Sequence, residues 1–307
     1  MDLALAVDLG GTKVEAALVD SDGAVLPDSR FRAPTGPTAT REDIADSIRR
    51  VVASALAATP ADARLVGAGI GSAGPVDIPG GRVAPLNLPA FAGHPIVDLV
   101  REQVPDLPVA LALDGLCIAV AEHWIGAGRG VTSMLGMVVS TGVGGGLVLG
   151  GRPVQATTGN AGHIGQIEVA GFTEPGVAGD AAMLESIASG PNTVAYANSL
   201  GWTGATGEEL AAAYAEGAPA ALAAVRRSAA AVGRAIASVT ALCDIDLAVI
   251  GGGFSRVAPD YLDLVRASRD RDTTPAFVRR AEIVLSGLGS EGPLVGAAAL
   301  VHRAPGR

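Results

Sequence analysis

Cysteine is nearly absent: 307 residues contain only Cys117 and Cys243, far apart and in apolar surroundings. That usage points to buried free thiols in a reducing cytoplasm. Basic clusters are missing too, with nothing denser than pairs such as Arg49-Arg50 and Arg226-Arg227. Together with a net charge of −9, this excludes an electrostatically driven nucleic-acid binder, because the chain repels phosphate backbones. Charged residues make up only 17% of the chain and apolar ones 49%, so disorder is excluded. Met1 to Ala4 show no basic stretch leading into an apolar one, and no secretory signal is expected. The longest charge-free run, 130–151, is rich in glycine and reads as two strands around a turn, not as a membrane helix. A chain of this length holds one large or two modest domains.

Residues 3–7 are a short apolar run with the length of a buried strand, followed by Asp8-Leu9-Gly10-Gly11-Thr12-Lys13 and a second strand over 14–19. Thr40 to Ala58 reads as a helix. Thr40 is placed to cap it, Glu42 and Asp43 favour its first turn, and Ile44, Ile48, Val51, Val52 and Ala55 share one face. A strand over 65–70 is followed by a Pro/Gly-rich loop to Pro95. A further strand, 108–113, meets Asp114, and a helix is expected over 115–125. The pattern then restarts: a strand over 133–140, a glycine turn Thr141-Gly142-Val143-Gly144-Gly145-Gly146, and a strand over 147–149. Two strand–glycine turn–strand units about half a chain apart suggest an internal duplication of a mixed α/β unit. Helices are expected near 180–188, 206–216 and 218–243, strands over 247–250 and 281–285, and a closing helix over 292–302.

The glycine turns admit three nucleotide-binding readings. A P-loop fails, because Gly11-Thr12-Lys13 has Thr before its Lys and leads into a strand. Gly69-Ile70-Gly71-Ser72-Ala73-Gly74 matches the dinucleotide pattern, but Pro75 follows at once and His94 stands where an acidic residue would be needed. The third reading is a hairpin phosphate clamp, in which backbone N–H groups approach a phosphate where no Cβ intervenes. Asp8 would then lie near the Mg²⁺ that accompanies the phosphates. Tight hairpins with no ligand remain the bland alternative. Gly251-Gly252-Gly253 after a third buried strand favours the nucleotide reading.

These residues, with Pro75-Val76-Asp77, Asn87-Leu88-Pro89, Asp114 and Ile250-Gly251-Gly252-Gly253, stand in the order found in the ROK family (repressors, open reading frames, sugar kinases). The chain resembles a ROK sugar kinase, glucokinase-like, from end to end. The resemblance implies an α/β fold of duplicated actin-like (ribonuclease H-like) domains around an interdomain cleft. The expected division is an N-terminal domain over 1–115 and a C-terminal domain over 116–291, with the helix in 292–307 available to complete the first. Family repressors carry an N-terminal helix-turn-helix. A first strand at residue 3 leaves no room for one and disfavours that reading.

By the same resemblance, Asp8, Gly10, Gly11, Thr12 and Lys13 bracket the ATP phosphates together with Thr141, Gly142 and Gly144. Gly251, Gly252, Gly253 and Phe254 line the adenosine site. Asp114 is the general base for the attacking hydroxyl, and Mg²⁺ bridges phosphate oxygens. From its position between a strand and a helix alone, Asp114 reads equally as an N-cap. Gly74, Asn87, His163, Gln166 and Glu185 are the further acceptor contacts. A cytoplasmic homodimer acting on a small sugar or cyclitol, without nucleic acid or membrane, completes the expectation.

Three departures bear on specificity. The family's Asn-Asp-Ala-Asn is Leu113-Asp114-Gly115-Leu116 here, so the base keeps its place while both amides are lost. The usual Gly-Glu-(Ile/Leu)-Gly-His is Gly162-His163-Ile164-Gly165-Gln166, which replaces a sugar-binding Glu and a His that binds zinc and sugar. The cysteines of the zinc pattern fall on Gly176, Ala178 and Met183, so no structural zinc is expected. Glu185 survives, as an acceptor contact or as an exposed helix carboxylate. The acceptor is therefore expected to differ from plain glucose: another hexose, an amino sugar, or a cyclitol of secondary metabolism. A catalytically weak sugar-binding or regulatory protein is the competing class.

Overall fold

The computed structural model describes residues 1–172, 182–271 and 275–304. They form two compact units, one of residues 1–129, 153–162 and 288–304, the other of 130–152, 163–172, 182–271 and 275–287.

In the first unit β1 (Asp2–Leu9), β2 (Lys13–Asp20) and β3 (Phe31–Pro34) are followed by α1 (Arg41–Ala57) and β4 (Arg64–Ser72). A small hairpin of β5 (Val76–Asp77) and β6 (Arg82–Val83), α2 (Ile96–Arg101), β7 (Val109–Leu113) and α3 (Asp114–Trp124) complete this stretch. The sheet order is β3-β2-β1-β4-β7. β1 pairs antiparallel with β2 and parallel with β4, and is buried along nearly its whole length. Its uninterrupted apolar sequence is what a strand covered on both faces requires. α1 starts at a capping box. Thr40 accepts from the Asp43 N–H and the Asp43 side chain accepts from the Thr40 N–H, an arrangement worth about 1 kcal/mol.

The second unit repeats the plan with β8 (Met134–Val139), β9 (Val143–Leu149) and β10 (Arg152–Pro153). Then come α4 (Leu184–Ala188), α5 (Gly190–Ser199), α6 (Gly207–Ala215), α7 (Pro219–Cys243), β11 (Leu247–Gly251), α8 (Tyr261–Arg269), α9 (Ala276–Arg279) and β12 (Glu282–Leu285). Its order, β10-β9-β8-β11-β12, is that of the first sheet strand for strand, which makes the molecule a duplicated α/β fold. The charge-free run 130–151 is the β8–β9 hairpin. Among the described residues no helix is long and apolar enough to cross a membrane.

α10 (Gly292–His302) belongs to the first unit, where it packs on β1, β4 and α3. The chain divides after Arg129, not after residue 115, because α3 is packed against α10 along its length. Two glycines permit this. A Cβ at Gly69 would fall on the Ala297 carbonyl, and one at Gly296 on the Cys117 carbonyl. The second glycine of the apparent dinucleotide motif, Gly71, faces the Cys117 thiol. The motif therefore reflects close helix-on-sheet packing.

The Thr141–Gly146 turn is shorter than its glycines suggest. Gly144, Gly145 and Gly146 lie inside β9, opposite Val138, Met137 and Gly136, and Ser140, Thr141 and Gly142 form the bend. β3, α2, α5, α8 and α9 are elements beyond those expected from the sequence; α8 is amphipathic, with Tyr261 and Val265 on its buried face. Cys117 is buried, whereas Cys243, at the end of α7, is only half-buried.

Candidate active site

In the first unit Asp8 sits at the end of β1, paired in register with Glu15 on β2 and with Gly71 on β4. Directly paired residues share a face of the sheet, so Asp8, Glu15 and Lys13 project together. Burial, then the negative charges of Asp114 and Glu15, push the Asp8 carboxyl up to about 7. The positive charges of Lys13 and Arg30 oppose that rise. Asp114 is the first residue of α3 and accepts the Gly115 N–H on Oδ1 at 2.6 Å. It lies close enough to Asp8 for the two charges to interact. Leu113 occupies the cap position, so Asp114 is helical and is not the N-cap.

Glu15, which the sequence did not single out, organises the cations. Its buried carboxylate pairs with Lys13 Nζ at 2.6 Å, Arg32 at 2.9 Å and Arg30 at 3.2 Å. Burial alone would raise its pKa, but hydrogen bonds from Lys13, Arg30 and Arg32 outweigh it and hold the carboxyl below its ordinary value. Lys13 is thereby held beside the β1–β2 turn instead of sweeping solvent. The turn itself is closed by Gly10 N–H donating to the Lys13 carbonyl at 2.9 Å, and Thr35 Oγ1 donates to the Gly10 carbonyl. The Asn87 carboxamide occupies the place where a Cβ at Gly11 would stand, so these two candidates are in contact and a side chain at Gly11 would displace the carboxamide. Thr12 is exposed at the bend. Gly74 starts the β5–β6 segment, its carbonyl accepting from Leu86 N–H.

The raised Asp8 pKa has a stability consequence. Between the ordinary value near 3.8 and about 7, the unfolded chain ionises this carboxyl while the folded one keeps its proton. Stability is full below the lower value and is lost as pH rises through the upper one. In Asp8→Asn, thermal melts between pH 4 and pH 8 should show a shallower decline than wild type, with the variant the more stable at pH 8. Parallel melting curves would contradict the assignment.

In the second unit the β8–β9 bend and the acceptor candidates meet. Glu185, on α4, accepts the Val143 N–H on Oε2 at 2.8 Å, and Gln166 Nε2 approaches Oε1 at 3.5 Å. A Cβ at Gly142 would press on the same carboxylate, and one at Gly165 on the Val143 carbonyl. Glu185 is thus half-buried and held against the bend, not loose on a helix surface. Burial raises its pKa, partly offset by the Val143 N–H. Gln166 is exposed. His163, just before the short turn Ile164–Gln166, has a buried Nδ1 with no hydrogen-bond partner among the described residues, and burial lowers its pKa.

Gly251 ends β11. Gly252 has φ 91°, and its Cβ position is filled by the Val139 carbonyl. Gly253 is exposed, with open space where a side chain would begin. The Phe254 ring is buried edge-on against Tyr261, with centroids 6.2 Å apart, and packs over Gly190 and Gly207. What this loop presents outward is the backbone around Gly253. Gly176 and Ala178 of the zinc-pattern segment lie outside the described residues, as does the start of the helix expected near 180.

Two units of the same five-stranded plan place this protein in the actin-like class of two-domain α/β folds. The chain belongs to the ROK family, whose pattern it matches over residues 4–304. It is 30% identical over 320 residues to a glucokinase of Streptomyces coelicolor, with 98% of each chain covered. It is 34% identical over 263 residues to an N-acetylmannosamine kinase of Escherichia coli O139:H28, covering 85% of this chain and 86% of that one. A ROK family glucokinase from Streptomyces griseus, solved with glucose and AMPPNP, superposes with a TM-score of 0.81 at 31% identity, covering 98% of this chain and all of the other.

Proposed function

We propose that the protein transfers the γ-phosphoryl group of ATP to a hydroxyl of a sugar or sugar-like polyol, with Asp114 as general base. The observation that carries this reading is the Asp114 carboxylate, oriented by the Gly115 N–H at the start of α3 and electrostatically coupled to Asp8 beside the glycine turn. Membership of a family with glucokinases and N-acetylmannosamine kinases supports it.

Each side chain has a distinct task. Asp114 takes the hydroxyl proton as the oxygen bonds to the γ-phosphorus and the bond to the bridging oxygen of ADP breaks. The backbone of Gly10 to Thr12 and the Lys13 ammonium hold phosphate oxygens, as do Thr141 and Gly142 from the second unit. Lys13 arrives already oriented by Glu15, so less side-chain freedom is lost on binding. Gly251 to Gly253 receive the adenosine. Mg²⁺ would neutralise charge on the phosphates; Asp8 fits it, since a buried carboxyl crowded by negative charge is stabilised in ionised form by a nearby cation. Gly74, Asn87, His163, Gln166 and Glu185 bind and orient the acceptor.

The acceptor is not plain glucose. Leu113 and Leu116, which flank the base, are buried in the apolar core of the first unit and offer no polar atom to a hydroxyl. Another hexose, an amino sugar or a cyclitol fits a site that has exchanged amides for leucines. An ATP-coupled assay over hexoses, amino sugars and cyclitols tests both levels. Glucose turned over better than all others would overturn the acceptor reading. ATP binding with no turnover of any polyol would overturn the kinase reading in favour of a regulatory protein.

Glu185→Gln keeps the shape and the bond from Val143 but removes the charge. We expect the acceptor KM to rise about tenfold, the size of a lost charge-assisted hydrogen bond, with the ATP KM nearly unchanged. Steady-state kinetics with each substrate varied in turn checks it.

A further inference from the structure

Gln166 and Glu185 lie on two arms of chain, 164–172 and 182–188, joined by a short ladder. Val169 N–H donates to the Ala182 carbonyl and Leu184 N–H to the Ile167 carbonyl, both at 2.9 Å, around the bridge between Glu168 and Met183. So short a ladder orders its arms weakly by itself. Two arginines of α7 grip them. Arg234 Nη1 donates to the Ala170 carbonyl at 2.7 Å, and its guanidinium lies 4.7 Å from the centre of the Phe172 ring. Arg227 Nη1 donates to the Ile187 carbonyl on the other arm at 3.3 Å. Its guanidinium faces both Phe172, at 5.6 Å, and Tyr196 of α5, at 4.3 Å. The two arginines are two helical turns apart and therefore share a face of α7. Gly171 has φ +83°, and the Arg234 guanidinium fills the place of its missing Cβ. A side chain there would be strained at that φ and would displace the guanidinium.

We infer that Arg227, Arg234 and Phe172 form a clamp that fixes the two arms and thereby the spacing of Gln166 and Glu185. They are positioning residues for the acceptor side of the site, acting through the ladder without touching the substrate. This rests on the proposed acceptor role of Glu185. Cation–π contacts suit the task, because the planar guanidinium stacks while its N–H groups remain free to hold carbonyls. The clamp would also make the acceptor site sensitive to changes on the face of α7, remote from the reacting atoms.

The test compares wild type with Phe172→Ala, Phe172→Tyr and Arg234→Lys. One readout is KM for the best acceptor and for ATP. The other is amide hydrogen exchange in peptides covering 164–170 and 182–187. Phe172→Ala should raise the acceptor KM about tenfold, leave the ATP KM within about twofold, and speed exchange in both arms while α7 keeps its protection. Phe172→Tyr should restore both readouts. Arg234→Lys, which keeps the charge but loses the stacked plane, should resemble Phe172→Ala and serves if that variant folds poorly. Unchanged exchange in both arms for Phe172→Ala and Arg234→Lys would overturn the clamp. So would a wild-type acceptor KM in these variants when Glu185→Gln raises it. If Glu185→Gln has no effect while exchange in the arms quickens, the acceptor role of Glu185 fails and the clamp stands.

Discussion

Asp114→Asn lowers kcat by about a thousandfold while the ATP KM stays close to wild type. The magnitude is that of removing a general base from a step in which the attacking hydroxyl must lose its proton. Asparagine has the same outline, and its side-chain oxygen can still accept the Gly115 N–H that aspartate accepts at 2.6 Å, so α3 keeps its start. A thermal melt within a few degrees of wild type accompanies the loss. A second consequence separates this from a general disturbance. The Asp114 charge helps hold the Asp8 carboxyl up, so in Asp114→Asn the Asp8 pKa moves down, readable by NMR titration of the side-chain carboxyl. Full activity in the variant would mean that another group takes the proton. An unmoved Asp8 titration would mean that the two carboxylates are not coupled.

Gly296→Val should be the most damaging single substitution remote from the reacting groups. At this position a Cβ falls on the Cys117 carbonyl of α3, a backbone atom that cannot rotate away. α10 is held equally tightly on another side, where the Ala297 carbonyl fills the Cβ place of Gly69 on β4. The helix can relieve neither contact without losing the other. Overpacking of this kind costs about 3 kcal/mol, expected as a melting temperature lower by roughly 5 °C. Activity falls as well, because α3 carries Asp114 at its first residue and must shift to admit the new side chain. Gly287→Ala is the control. Nothing lies within 4 Å of its Cβ position, and its melting temperature should stay within about a degree or two of wild type. Equal stability of Gly296→Val and Gly287→Ala would show that the helix crossing is looser than the structure has it.

The two expectations differ in how far the sequence alone reached them. Asp114 was visible from its place at the end of an apolar strand, together with the motifs that surround it in a ROK sugar kinase. The roles of the glycines were not. Gly69, Gly144 and Gly296 look alike in a glycine-rich sequence, yet Gly69 admits a helix, Gly144 pairs within a strand and Gly296 admits a second backbone. Glu185 stood out through the family pattern. That it would be held by the Val143 N–H against the β8–β9 bend, 42 positions away, had no local signal. In the sequence Glu15 is one residue of a strand, because nothing in its neighbours shows that Arg30 and Arg32 return to it.

Local chemistry determined the parts that depend on neighbours in the chain. The apolar runs of β1, β4, β8 and β11, the capping box of α1 at Thr40, the bends at Gly10-Gly11 and Gly142, and the strand-to-helix junction at Asp114 all follow from spacings of a few residues. Tertiary structure decided what depends on register and on the angles at which elements cross. These are the closeness of α3 and α10, the cations gathered on Glu15, the seat of Glu185, and the two arginines of α7 across Phe172. Such contacts join residues tens of positions apart, and their energies exist only once the sheets have formed and the helices have been laid on them. No short window of sequence contains them.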